Sequence, residues 1–354
     1  MLRTLKLQVL QAARTAGVNR ALARSEWRRN KVLILCYHGI SQDDEHEWNP
    51  ELFMSPQALE RRLQILRYGA YNVLPLSEAV ERLRNRSLPS KTVVLTFDDG
   101  MFNFQSRALP LLRKYDYPAT VYLRTDYCYH RSPIFYLACP YMLWKQRHHV
   151  VPANPKLGWL EPQDLQTEQG RFRAWSSIRR IDEDRKLSYE ERDPLLAELA
   201  GHIGINYAAF LDSRLMQIMN PEEVTAVARA GIDVQLHTHR HQRVSRLGGQ
   251  GLLQTAIDEN RTRIVQLTGR NPVHFCYPSG DYRLDALPVL RELGIATATT
   301  CDPGLADGTS DPLLLPRYVD TSLQTESEFD GWLSGASSFL TNHRPLATTP
   351  TDIE

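Results

Sequence analysis

Two clusters of side chains in this 354-residue sequence have the types and spacing of reactive groups. Asp98-Asp99-Gly100 sets two adjacent carboxylates beside a glycine turn, directly after the β-rich run Val93-Val-Leu-Thr-Phe97. His237-Thr-His-Arg-His241 sets three imidazoles directly after Ile232-Asp-Val-Gln-Leu236. An Asp-Asp-Gly alone is ordinary turn chemistry, and a solvated loop can carry histidines without using them. Three histidines at one strand end are nevertheless hard to explain as packing. His237 and His241, four apart, can face one metal if the chain coils into a turn there. Two neutral imidazoles and one carboxylate of the Asp pair make a catalytic-zinc set that leaves positions open for water and substrate. The spare carboxylate next door would then serve as a base on metal-bound water.

Such groups work together only if separate strand ends meet on one face. From Lys31 onward the pattern alternates short apolar runs with helical segments. Lys31–Tyr37 and Thr92–Thr96 read as buried strands, and 119–123, 232–236, 273–277 and 295–299 as further strands. Ser55-Pro56 caps a helix with Leu59, Leu63 and Leu66 on one face. Leu76–Arg84, 106–114, 220–231, 252–267 and 284–293 read as the other helices. Repeated βα units imply a mostly parallel sheet, open or closed into a barrel, with chemistry at the carboxyl ends of the strands. Residues 127–214 break the rhythm and read as an insertion, helical around Leu187–Phe210, of a size that shapes a cleft or lid. Its tyrosines and tryptophans could stack on a flat ligand, although aromatic residues in a helical insert usually form core.

Composition narrows the functional classes. Lys and Arg total 42 against 41 Asp and Glu, and the net charge of +1 does not suit a dedicated nucleic-acid binder. At 42% apolar residues the chain can build a core, and no apolar run is long enough to span a membrane. Five cysteines, an odd number with no Cys-x-x-Cys, suggest reduced thiols and a reducing compartment. Up to Lys31 there are eight basic residues and one acid, a local charge of +7, while the remainder carries −6. Leu2, Leu5, Val9, Ala12, Ala13 and Ala16 recur at helical spacing in this segment, so residues 1–30 are expected to form a basic amphipathic stretch. It would either pack along the main domain or lie on an anionic membrane surface. Without an apolar leader-like core, the expected location is cytoplasmic, with peripheral contact at the inner membrane face. Residues 336–354, polar and Pro/Thr-rich at their end, are expected to be disordered.

The strand-end motifs resemble those of the NodB-type polysaccharide deacetylases, carbohydrate esterase family four. Thr96-Phe-Asp-Asp-Gly100 is similar to that family's first motif, His237-Thr-His-Arg-His241 to its second, and Phe275-Cys-Tyr-Pro-Ser-Gly280 to its third. Ala108–Thr120 is similar to the helix and strand that follow the first motif. The resemblance implies an α/β fold, an incomplete (β/α) barrel of the NodB-homology type over 31–126 and 215–335, with the helical insertion 127–214. The general-acid His usual near the C-terminal end of the domain is missing from Leu314-Leu-Pro-Arg-Tyr318. Leu33-Ile-Leu-Cys-Tyr-His-Gly39 supplies an equivalent ahead of the first motif, as in the circularly permuted poly-N-acetylglucosamine deacetylase branch.

Carried over residue by residue, the resemblance implies that Asp99, His237 and His241 hold a divalent metal, most plausibly Zn²⁺. Asp98 would be the base and His38 the acid that protonates the leaving amine. The turn at Tyr277, Pro278 and Ser279 would donate a backbone N–H to the oxyanion. His38 should have a carboxylate partner, which the sequence does not reveal. The family's Arg in the third motif is replaced by Cys276, and Arg317 is expected to reach Asp98 instead. His239 is expected to point outward as a bystander. The implied substrate is an N-acetylated glycan or glycolipid, with no nucleic acid. The competing readings are an O-acetyl esterase on an acetylated glycan and a catalytically silent glycan-binding module, which would need neither base nor acid.

Overall fold

A computed structural model of the chain describes residues 2–340. Its centre is a sheet of β1 (Lys31–Tyr37), β2 (Asn72–Val73), β3 (Thr92–Phe97), β4 (Thr120–Leu123), β5 (Asp233–Leu236), β6 (His274–Cys276), β7 (Thr297–Thr299), β8 (Ala306–Asp307) and β9 (Tyr318–Val319). Neighbours run β7-β6-β5-β4-β3-β1-β8, with β2 beside β3 and β9 beside β1. Only β8 runs antiparallel to its neighbour. Every residue of β1 from Val32 to Tyr37 is buried, as is all of β3. Both faces of these strands are covered, which is why they read as unbroken apolar runs.

The curved sheet is closed by one irregular stretch. Leu315 bridges to Thr299 and exchanges hydrogen bonds with Ala298 and Thr300. Three residues later Tyr318 and Val319 pair with Leu35 and Cys36 of β1. The 312–320 segment therefore joins β7 to β1, giving the incomplete (β/α) barrel that the family resemblance implied. In register, Tyr37 stands beside Phe97, Phe97 beside Val121, Leu123 beside Leu236 and Leu236 beside Phe275. The carboxyl ends of these strands thus finish side by side, and each is followed by a residue free to face the barrel mouth.

Local chemistry sets the helices around this sheet. Ser55 caps the helix Pro56–Tyr68 by accepting from the Ala58 amide, and Leu59, Leu63 and Leu66 are its buried face. Asn220 and Glu223 form a reciprocal capping box at the start of Pro221–Arg229. The expected helix at 106–114 lies inside a helical stretch over 102–115, which is wound as a π-helix at Phe104–Ala108 before Leu109–Tyr115.

The region 127–214 is helical, but it holds more helix than periodicity alone revealed. Phe135–Lys145 is buried on most sides and carries Pro140, so it lacks a one-sided apolar stripe. Glu168–Arg185 is so polar that only Gly170, Ala174, Ile178 and Asp182 are buried. Trp159 is fully buried, and Trp144 and Trp175 pack against the core, so the insertion's tryptophans are structural.

The N-terminal segment docks on the barrel through Leu10 and Arg14, and not through Val9, Ala12 or Ala16 of the expected stripe. Leu10 is buried against Gly331, and Arg14 pairs with Glu326 of the helix Glu326–Ser334, while Val9 is 45% exposed. A small-residue notch and an ion pair decide the docking face here, leaving Val9, Ala12 and Ala16 outward. Residues 336–340 also depart from expectation. They form a turn, with Phe339 4.8 Å from the Trp27 ring, whereas 341–354 lie outside the described residues. Among the described residues no helix is long and apolar enough to cross a membrane.

Arg28 ties these parts together. It is fully buried, and donates Nε to Leu333 O (3.0 Å), Nη1 to Lys31 O (2.6 Å) and Nη2 to Thr92 O (3.1 Å). Replacing it leaves three carbonyls without that donor in a dry site. Arg28→Ala should therefore lose about 3 kcal/mol of stability, read as a lower urea midpoint. An unchanged midpoint would show that residues 1–30 are an appendage rather than part of the barrel.

Candidate active site

The barrel mouth gathers the residues that follow β1, β3, β4 and β5. Asp98 and Asp99 follow β3 and are 3% and 7% exposed. Asp99 has φ of 69°, a left-handed conformation uncommon for a side-chain-bearing residue. This turn lets two sequential carboxylates face different partners. Gly100 continues it at φ 76°, and a Cβ there would lie 2.3 Å from Leu123 Cδ1, so glycine is required twice over.

Asp98 is gripped from the closing segment. Arg317 Nη1 donates to Oδ1 at 2.8 Å and Nη2 to Oδ2 at 2.7 Å, a bidentate pair buried completely on the arginine side. The guanidinium is itself aimed by Nε to Thr300 O at 2.8 Å and Nη1 to Thr96 Oγ1 at 3.2 Å. The Cys276 and Cys36 thiols donate to Asp98 Oδ2 at 3.3 and 3.5 Å. Burial alone would raise the carboxyl's pKa, but the Arg317 charge and its hydrogen bonds, with His38 and His237 nearby, hold it well below the usual range. The same burial pushes the Cys276 and Cys36 thiols up, so they stay protonated donors.

Asp99 belongs to a different group. One ligand-type atom from each of Asp99, His237 and His241 lies within 4.8 Å of the others. His237 Nε2 and His241 Nε2 stand 3.5 and 3.3 Å from Asp99 Oδ1, yet that buried oxygen accepts no hydrogen bond. His237 Nδ1 lies 2.9 Å from Cys276 O, which can only accept, so Nδ1 carries the proton and Nε2 presents its lone pair to Asp99. Burial pushes the His241 imidazole down to about 3 against the pull of Asp99, which keeps it neutral. The His237 lone pair and the His241 ring nitrogen converging on an orphaned carboxylate oxygen suit a divalent cation. Asn260, fully buried, fixes the frame by accepting from the His237 amide and donating to Leu123 O.

His38 follows β1 and is 22% exposed, with Nε2 3.9 Å from Asp98 Oδ2. Asp98 is the nearby carboxylate, beyond hydrogen-bond range of His38 and held by Arg317 through both oxygens. His38, Asp99, His241 and Ser279 line one cleft of about 450 Å³. The third-motif residues divide. Tyr277 is turned away, its amide donating to Thr299 O at 3.2 Å and its phenol to Leu313 O at 2.9 Å. Pro278 has no N–H, so of the three expected oxyanion residues only Ser279 faces the cleft. His239 is not outward as expected but half-buried, with Nδ1 2.9 Å from Thr125 Oγ1.

Sequence reasoning missed the residues after β4. Arg124 donates to both oxygens of Asp126 at 2.9 and 2.7 Å, and both residues line the cleft. Their position after a strand, the logic that found Asp98 and His237, would have flagged them.

If Arg317 holds the base ionised, Arg317→Gln leaves Asp98 buried without its counter-charge, and its pKa must rise. The acid limb of the pH–rate profile should move up by about one unit or more, with kcat down about 10²-fold. Binding of Zn²⁺ by calorimetry should persist, because Arg317 is no ligand. A profile unmoved from wild type would remove the positioning role.

The family model for polysaccharide deacetylases matches residues 85–145 and 189–298. That span contains Asp98, Asp99, His237 and His241 but neither His38 nor Arg317. The sequence is 24% identical over 315 residues to the poly-beta-1,6-N-acetyl-D-glucosamine N-deacetylase of Escherichia coli K12, covering 87% of this chain and 39% of that protein. The chain thus spans about two-fifths of the length of that curated relative. The fold is similar to the Streptococcus pyogenes deacetylase PplD in complex with acetate, with TM-score 0.55, 20% identity, and coverage of 84% of this chain and 95% of that one. It is similar also to IcaB from Ammonifex degensii, with TM-score 0.52, 17% identity, and coverage of 87% and 96%.

Proposed function

We propose that this chain, which belongs to the NodB-type polysaccharide deacetylase family, is a metal-dependent hydrolase that removes N-acetyl groups from amino sugars of a glycan or glycolipid. One observation carries the reading: Asp98, locked by Arg317 and 3.9 Å from His38, lies next in sequence to Asp99 of the Asp99, His237 and His241 donor set, and His38, Asp99 and His241 open onto one cleft. Asp99, His237 and His241 would hold the metal, and Zn²⁺ suits two imidazoles with one carboxylate. A bound divalent ion there would polarise the acetyl carbonyl and acidify water.

The side chains supply the remainder. Asp98, kept ionised, takes the proton of the attacking water. Its two bonds to Arg317 restrict it to one orientation while the thiols of Cys36 and Cys276 shield it from bulk solvent. Ser279 is the candidate donor to the oxyanion that forms on the acetyl carbonyl oxygen when water adds to its carbon. His38 gives its proton to the sugar nitrogen as the C–N bond breaks, without which an amine leaves poorly. A silent binding module would need neither the aimed base nor the acid opposite it.

Acetate release from N-acetylglucosamine oligomers by metal-stripped protein tests this directly, before and after addition of Zn²⁺. Release should appear with the ion and fall by about 10³-fold or more in Asp98→Asn. Activity confined to O-acetylated glycans would move the assignment to an esterase, and absence of metal binding would remove the site.

The proposal extends to a cytoplasmic location with contact at the inner membrane face. The outward side of the N-terminal helices leaves Val9 45% and Val18 52% exposed, with Arg20 and Arg24 also exposed. Anionic liposomes should co-sediment the protein, less so at high salt, and neutral liposomes should not. Equal recovery in the supernatant with both would end the membrane reading.

A further inference from the structure

Residues 146–188 lie outside the match to the family model and carry the helix Glu168–Arg185, which buries Asp182 to 2% exposure. A buried carboxylate is costly unless paired, and this one is paired twice. Arg192 donates Nε and Nη2 to it at 2.7 and 3.0 Å, and the Tyr136 phenol donates to Oδ2. Tyr136 and Arg192 both line the cleft that holds His38, Asp99 and His241. The Arg192 guanidinium carbon lies 5.4 Å from the Tyr136 ring centre and 5.7 Å from that of Tyr189.

Tyr189 lines the same cleft and is fixed from the barrel side. Its phenol donates to Asp126 Oδ2 at 2.7 Å, and Asp126 in turn holds Arg124. Tyr127 meets the Tyr189 ring edge-on at 4.7 Å. Packing alone does not call for this arrangement, since apolar residues of similar volume would be at least as stable as a buried ion pair. Aromatic rings with their hydroxyls held in fixed directions, alternating with a guanidinium, fit a pyranose. Its hydroxyl and acetamido groups would meet the phenol oxygens and the guanidinium, beside a Tyr189 ring already stacked on His130 at 4.8 Å.

We propose that Tyr136, Tyr189 and Arg192 form the saccharide-binding wall of the cleft, positioned by Asp182 and Asp126. The insertion thereby selects an amino-sugar chain over small acetylated compounds. This rests on the deacetylase reading above.

The full chain supplemented with Zn²⁺ is assayed on N-acetylglucosamine oligomers and on a small aryl acetate, whose leaving group offers the wall no sugar ring. Asp182→Asn and Tyr189→Phe should each raise KM for the oligomer about tenfold, as expected for one lost charge-assisted hydrogen bond. The oligomer-to-aryl-acetate ratio of kcat/KM should fall at least about fivefold. Calorimetric titration of the Asp98→Asn protein with oligomer, with and without Tyr189→Phe, should read the same loss as affinity. Equal losses on both substrates, or no loss in either variant, would overturn the wall. Wild-type protein that cleaves the aryl acetate with metal but does not favour oligomers would overturn it while leaving the hydrolase standing. Wild-type protein without metal-dependent activity on either substrate would overturn both.

Discussion

The bidentate pair between Asp98 and Arg317 is the interaction on which the rest depends. Taking both charges out of water costs several kcal/mol for each ion, and their attraction repays that only when every other donor and acceptor is also satisfied. Here they are satisfied, by Thr96, Thr300, Cys36 and Cys276. The pair therefore works as a geometric constraint more than as a source of stability. It fixes the Asp98 carboxylate in one orientation, and it fastens the segment that joins β7 to β1 onto the end of β3.

Much of the site was legible in the sequence because its residues obey one positional rule. Asp98, Asp99 and His38 follow strands with clear apolar runs, His237 follows the alternating Ile232-Asp-Val-Gln-Leu236, and parallel strands deliver such residues to one rim. Arg317 had no strand signal, since β9 is two residues long. It was found only by asking what could replace the missing arginine at Cys276. The oxyanion assignment was the weaker inference. A motif names residues, but whether an amide is free depends on its neighbour across the sheet, and Tyr277 spends its amide on Thr299.

The illegible part is the insertion and the N-terminal docking face, and both fail for the same physical reason. Periodicity reports a helix that has one wet side and one dry side. Phe135–Lys145 is dry nearly all round, and Glu168–Arg185 buries a charged residue, Asp182, among its few inward positions. The first helix uses Leu10 and Arg14 to dock, a mixed apolar and ionic face that a stripe of Leu2, Leu5 and Val9 does not anticipate. Buried polar residues that serve as anchors are invisible to any pattern that counts them as solvent-facing.

The distance along the chain between Asp98 and Arg317 has a consequence for how the molecule is made. The two are separated by 219 residues, so during synthesis the carboxylate leaves the ribosome long before its counter-charge exists. Until the closing segment arrives, β7 is an open edge, β1 is paired on that side only through β8, and Asp98 lacks its counter-charge. The arginine that orients Asp98 is thus supplied late, by nearly the last piece of the barrel to be translated. Partly made chains carry Asp99, His237 and His241 before Asp98 has its counter-charge.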